Sequence, residues 1–308
     1  MGKITTMFEP WNPDRRAASL AANQEGALSS AQALAAGLSR RQIELRVTAG
    51  RWRRAARGVF VIAGAPDTWR QRAWVALLWS GQEGVVSHLT AAALHRLASP
   101  SLLPHITLPP GRSCRGGVAI AHRGAVPLID RATIDGIRTT SVNRLLVDLA
   151  GCFDGPAFES VLDDALCRKL ASPSSVLAAA GRVGGGRRGL ARLRSTLAIW
   201  TEKIAPGSVA EMRLLRLLRE LGLGDIVGQY EVHDAGGSFV ARLDIAVPAR
   251  RRALEYDGVA THGPRAWQRD EARSRRLREL GWEVESVTKL DLLPGERRLR
   301  DIASRWAA

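Results

Sequence analysis

The run from Phe239 to His262 holds the residues whose types and spacing suit chemistry best: Asp244, Glu255, Asp257 and His262. Phe239 to Val247 alternates apolar and polar residues, the period-2 pattern of a half-buried strand. Pro248 ends that strand, and Ala253 to Asp257 reads as a second. A turn centred between Ala249 and Arg250 sets Asp244 opposite Glu255, with side chains about 5 Å apart. The same register sets Leu243 opposite Tyr256 on the apolar face. Two facing carboxylates repel unless a cation lies between them. A hard divalent ion such as Mg²⁺ or Mn²⁺ would serve, since it takes carboxylate oxygens and keeps waters. Acids on a solvated hairpin face are the plain alternative, and a one-residue slip would part the pair.

The neighbouring segments would position this hairpin. Ser208 and Glu211 open a helix with Leu214, Leu215, Leu217, Leu218 and Leu221 on its apolar side. Ser-x-x-Glu is also a capping box, so Glu211 has a purely structural alternative. Trp267 to Leu280 is expected as a helix carrying Arg269, Arg273 and Arg276, and Trp282 to Val287 as a returning strand.

Asp, a short hairpin, Glu-x-Asp-Gly and a later His together resemble the nuclease-like domains related to very-short-patch repair endonucleases. These belong to the PD-(D/E)xK restriction-endonuclease-like superfamily. The resemblance covers about residues 205–295. It implies that Asp244 and Glu255 bind metal and that Glu211 points at it. Asp257 stands where the superfamily usually has Lys, and His262 is the substitute the resemblance suggests. Asp257 opposite Arg242 also makes sense as an ion pair. Lys289 is a weaker candidate for a migrated Lys.

At the other end, Ser29 or Ser30 is expected to cap a helix Ala31–Ala36, and Ser39 a second, Arg40–Ala49. Gly50 ends the second, and two short strands follow from Trp52 to Val61. Helix, turn, helix and wing make a winged helix-turn-helix. Arg40, Arg41, Arg46, Arg51, Arg53, Arg54 and Arg57 lie there against one acid, Glu44. Such density suits duplex-DNA phosphates. The whole chain of 308 residues carries 45 Lys+Arg against 30 Asp+Glu, net +15. Only four of these cations are lysines, as a GC-rich genome alone would produce, so clustering is the stronger argument. The segment from Gly37 to Phe60 resembles the N-terminal domain of AbiEi-type antitoxins of type IV toxin–antitoxin systems, and the resemblance extends over about residues 25–170. It implies transcriptional regulation and a cognate toxin as partner.

His88, His95, His105 and His122 match no standard metal-ligand spacing, and His88 beside Ser87 is expected to fix a helix start. Cys114, Cys152 and Cys167 have no disulfide-framework spacing, which suits a reducing cytoplasm. Trp74 to Trp79, the longest apolar run, is far too short for a bilayer. The expected class is α/β, α+β overall. A flexible N-terminus spans 1–22, the winged helix-turn-helix 23–65, a mixed middle region 66–170, a linker 171–206, and a three-layer restriction-endonuclease-like domain 207–308. Two functions follow from these features. The first is a Mg-dependent DNA endonuclease. The second is an antitoxin-like regulator whose nuclease-like domain is catalytically reduced.

Overall fold

The computed structural model describes residues 12–111, 117–184, 186–201, 208–256, 264–288, 290–292 and 297–307. It divides into two compact units: Met1–Phe153 with Val176–Leu190, and Asp154–Ser175 with Ala191–Ala308. Helices and mixed sheets are present in both, so the α/β class holds.

The first unit begins with α1 (Pro13–Ala22), β1 (Ala27–Ser29), α2 (Ser30–Ala35), α3 (Arg40–Thr48), β2 (Trp52–Ala56) and β3 (Val59–Ile62). This is a winged helix-turn-helix with strand order β1-β3-β2. Local chemistry explains its boundaries. Asn12 accepts from the amides of Asp14 and Arg15 at 3.0 and 3.2 Å, and Pro13 supplies a preset φ. Ser29 with Gln32 and Ser39 with Gln42 form reciprocal capping boxes. The expected flexible segment through residue 22 is corrected here for residues 13–22. Ala17 and Ala21 on α1 are buried with Leu28, Ile43, Trp52 and Phe60. Two small apolar residues on a polar helix give little periodic signal, yet they let α1 approach its neighbours closely. Gly26, at φ +85, is another close approach: a Cβ there would lie 2.4 Å from Ala65 Cβ.

The same unit continues with α4 (Trp69–Ser80), β4 (Val85–Val86), α5 (His88–Leu94), β5 (His105–Leu108), β6 (Ile120–Arg123), β7 (Arg131–Ile134), β8 (Ile137–Thr140) and α6 (Val142–Leu149). The sheet order is β6-β5-β4-β8-β7. Asp135-Gly136, both at positive φ, turn the β7–β8 hairpin. Helix α4 joins sheet and winged helix: Leu77 and Ala73 pack on Ile106 and Ile137, while Val75 packs with Ala27, Val59 and Val61. Gln71 on α4 donates to the carbonyls of Glu25 and Pro66.

The stretch expected as linker is largely helical, in α8 (Pro173–Val183) and α9 (Leu190–Thr201), which follow α7 (Gly155–Cys167). Its Gly and Ser clusters bracket these helices, while Val176, Ala179, Ala180, Leu193 and Leu197 between them are buried. The boundary between the units therefore does not coincide with residues 171–206.

The second unit adds α10 (Val209–Glu220), β9 (Val227–His233), β10 (Phe239–Val247), β11 (Arg252–Tyr256), α11 (Pro264–Glu279), β12 (Glu283–Val287) and α12 (Arg298–Ala307). Its sheet runs β12-β11-β10-β9, with β11 and β12 parallel and the other pairs antiparallel. Leu214, Leu215 and Leu218 of α10 and Ile302 and Trp306 of α12 cover one face against Ile245 and Leu254. Leu277 of α11 covers the other, with Leu243, Ala253 and Trp282. Adjacent Ala253 and Leu254 belong to opposite clusters, so the unit has three layers. Asp163 of α7 is buried against Arg216 of α10, which donates to it twice at 2.6 and 2.8 Å, and Trp200 donates to it at 2.9 Å.

Candidate functional site

The winged helix presents two groups of arginines. Arg40 and Arg41 open α3 and are exposed; Arg51, Arg53 and Arg57 are exposed on the wing. The other two are tied within the fold. Arg46 bonds Asp14 and lies 5.9 Å from the centre of the Trp52 ring. Arg54 donates to both oxygens of Glu44 at 2.6 Å and covers the Phe60 ring at 5.4 Å. Leu45 on α3 is 58% exposed, although its neighbour Ile43 is in the core.

In the second unit the β10–β11 register is the expected one. Ile245 pairs with Leu254, Ala246 with Ala253 and Val247 with Arg252, across a 3₁₀ turn at Pro248–Arg250. One step further on, the two acids turn to different partners. Asp244 Oδ2 accepts from the Tyr256 amide at 2.9 Å. Glu255 is held by Arg273, whose second nitrogen also donates to the Arg242 carbonyl. The partner gathered beside Asp244 is Glu211: Gln229 Nε2 donates to Glu211 Oε2 at 2.6 Å and lies 3.3 Å from Asp244 Oδ1. Gln229 itself sits at φ +50, in the left-handed region. Glu211 also belongs to the helix start: Ser208 Oγ accepts its amide at 3.2 Å and donates to its carboxylate at 2.9 Å. Burial raises the Asp244 pKa, the Tyr256 amide opposes this, and the charges of Glu211 and Glu255 raise it further.

The expected Leu243–Tyr256 contact is corrected. Leu243 packs with Leu277 and Trp282, whereas Tyr256 packs on the opposite face against the cluster of Leu215 and Ile245. Beyond Tyr256, Asp257, His262 and Lys289 lie outside the described residues, as does the side chain of Arg269. Arg276 bonds Asp234 at 2.9 Å. Arg242 is opposite Glu231 on β9.

Spacing gave no hint of what the first unit does with its histidines. His88, His105 and His122 come together, with one ring nitrogen from each within 4.8 Å of the others. His95 goes elsewhere, to the Thr140 carbonyl at 2.8 Å. The signal that could have found the trio is β4–β5–β6 strand pairing, which a spacing rule does not contain.

Residues 15–63 match the family model described as transcriptional regulator, AbiEi antitoxin. The match covers the winged helix from within α1 to just past β3. Two Mycobacterium tuberculosis proteins, uncharacterized protein Rv2248 (strain H37Rv) and uncharacterized protein MT2308 (strain CDC 1551), are each 28% identical over 257 residues. The aligned region is 83% of this chain and 92% of theirs. Among solved structures, the Rv2827c protein of Mycobacterium tuberculosis aligns with 72% of this chain and 88% of its own, at 15% identity and TM-score 0.40. Among the described residues, no helix is long and apolar enough to cross a membrane.

Proposed function

We propose that the protein is a DNA-binding transcriptional regulator of the AbiEi antitoxin type, with a cognate toxin as its protein partner. The observation that carries this reading is the winged helix matched by that family, with Arg40, Arg41, Arg51, Arg53 and Arg57 exposed on its recognition helix and wing. Recognition helices enter the major groove while wings reach the flanking backbone. Five exposed guanidinium groups supply phosphate contacts, and Leu45 offers an apolar contact to a thymine methyl. The test is binding of the full chain to duplex DNA from the region upstream of its own gene, across a salt series. Affinity should fall steeply with salt and exceed that for scrambled DNA. Equal affinity for both duplexes, or none at low salt, would reject the regulator reading.

A second reading has one observation in its favour: Glu211 and Asp244 converge on the Gln229 amide, and Asp244 is held above the usual carboxylate range. Two carboxylates and an amide that can turn its oxygen inward are hard donors that fit Mg²⁺ or Mn²⁺. On this reading the ion would activate water for phosphodiester hydrolysis. Glu211 and Asp244 would hold it, Glu255 stays engaged by Arg273, and Asp257 and His262 are the remaining candidates for proton transfer. Mg²⁺-dependent cleavage of plasmid DNA that Asp244→Ala abolishes would establish it. Cleavage that survives Asp244→Ala would show that this site is not responsible.

A further inference from the structure

The histidine trio belongs to neither reading. Its members come from three segments that the sheet aligns. His105 lies on β5, and His122 on β6 stands beside Thr107 in the parallel register. His105 and Thr107 are two residues apart and share a face. Ser87, next to His88, donates its amide to the His105 carbonyl at 3.1 Å, which brings the start of α5 to the same level. His88 and His105 are buried and His122 is half-buried.

We propose that His88, His105 and His122 bind a divalent transition-metal ion, with zinc the best match to three imidazoles. Three protein nitrogens with a fourth position left for water or another ligand is an established zinc arrangement.

Three observations support the site. The ligand atoms all lie within 4.8 Å of one another. Nitrogens around a tetrahedral zinc stand roughly 3.3 Å apart, from Zn–N bonds of about 2.0–2.1 Å. Small ring rotations therefore complete the shell, mainly by splaying the His88 and His122 rings. These now stack with centroids 3.4 Å apart, while His105 Nδ1 is 2.9 Å from His122 Nε2.

The second observation is outer-shell support. His88 Nδ1 is 2.9 Å from Ser87 Oγ, which also accepts from Thr107 Oγ1 at 2.8 Å. Donation from Nδ1 to that hydroxyl leaves Nε2 with its lone pair for a metal. Third, His88 holds φ +48, a strained conformation for a residue with a Cβ, and such strain gathers at functional sites.

The test uses the full chain, stripped with chelator and then titrated with Zn²⁺ or Co²⁺. Expected are about one ion per chain, visible Co²⁺ ligand-field bands of a four-coordinate site, and a rise in Tm with metal. His105→Gln and His122→Gln should each weaken uptake at least about tenfold. His95→Gln and Asp244→Ala should retain it, which separates this site from the carboxylate pair. His122 is half-exposed, so His122→Gln decides the matter if His105→Gln fails to fold. No uptake by the wild type, or uptake by a folded His122→Gln equal to wild type, overturns the proposal.

Discussion

Replacing Arg51 and Arg53 together with Ala tests the proposed DNA interface at the exposed wing. Each arginine that neutralises a phosphate contributes about 0.9 to the slope of log affinity against log salt. Both side chains are exposed on the wing, so the double variant should shallow the slope by about 1.8. Between about 50 and 200 mM salt that difference amounts to roughly a 12-fold change in relative affinity. Arg54 is a built-in control. Glu44 already neutralises it with two bonds of 2.6 Å, so Arg54→Ala should change the slope far less. Glu44→Ala should release Arg54 and steepen the slope by up to about 0.9. Fluorescence anisotropy of a labelled duplex over a KCl series reads all three. An unchanged slope in the double variant, or an equal drop with Arg54→Ala, would refute the assignment of charges to this surface.

Other outcomes follow from buried groups. Burial and two nearby acids raise the Asp244 pKa, so its stabilising contribution is full below the unfolded value and is lost as pH rises through the folded one. Asp244→Asn should therefore raise Tm at pH 7 in metal-free buffer and flatten the decline of Tm above pH 4; a lower Tm at pH 7 would contradict this. Arg216→Leu strands the buried Asp163 carboxylate with Trp200 as its remaining donor, and should cost about 3–5 kcal/mol, seen as a large fall in Tm. A variant melting with the wild type would show the pair to be dispensable. Burial, with Asp163, Glu211 and Asp164 adding, pushes the Cys167 thiol up to about 11. Alkylation of its peptide, followed by mass spectrometry, should then rise about tenfold per pH unit with no plateau below about pH 10.

Much of the local architecture was legible in the sequence because its causes are local. Ser29 with Gln32 and Ser39 with Gln42 set helix starts within four residues. Alternation along Phe239–Val247 and the Pro248 turn determined the hairpin register to the residue. The arginine run marked the surface that the family match also covers. Elements with little periodic signal were not legible: α1, the three-residue β1, and α8 between its serine and glycine clusters; the basic helix Leu190 to Trp200 was readable and is α9. Each exists because a neighbour covers a few small or apolar side chains.

Partners were the least legible feature, since charge and hydrogen bonding are settled across long separations. Arg273 takes Glu255 away from Asp244, and Gln229 links Asp244 to Glu211 instead. Glu44 and Asp14 neutralise Arg54 and Arg46, although Arg54 stays half-exposed. The sequence by itself determined which residue types were available and how each strand would turn. Only the tertiary structure decided which of them meet, as when strand pairing gathered His88, His105 and His122 from positions whose spacing carried no such signal.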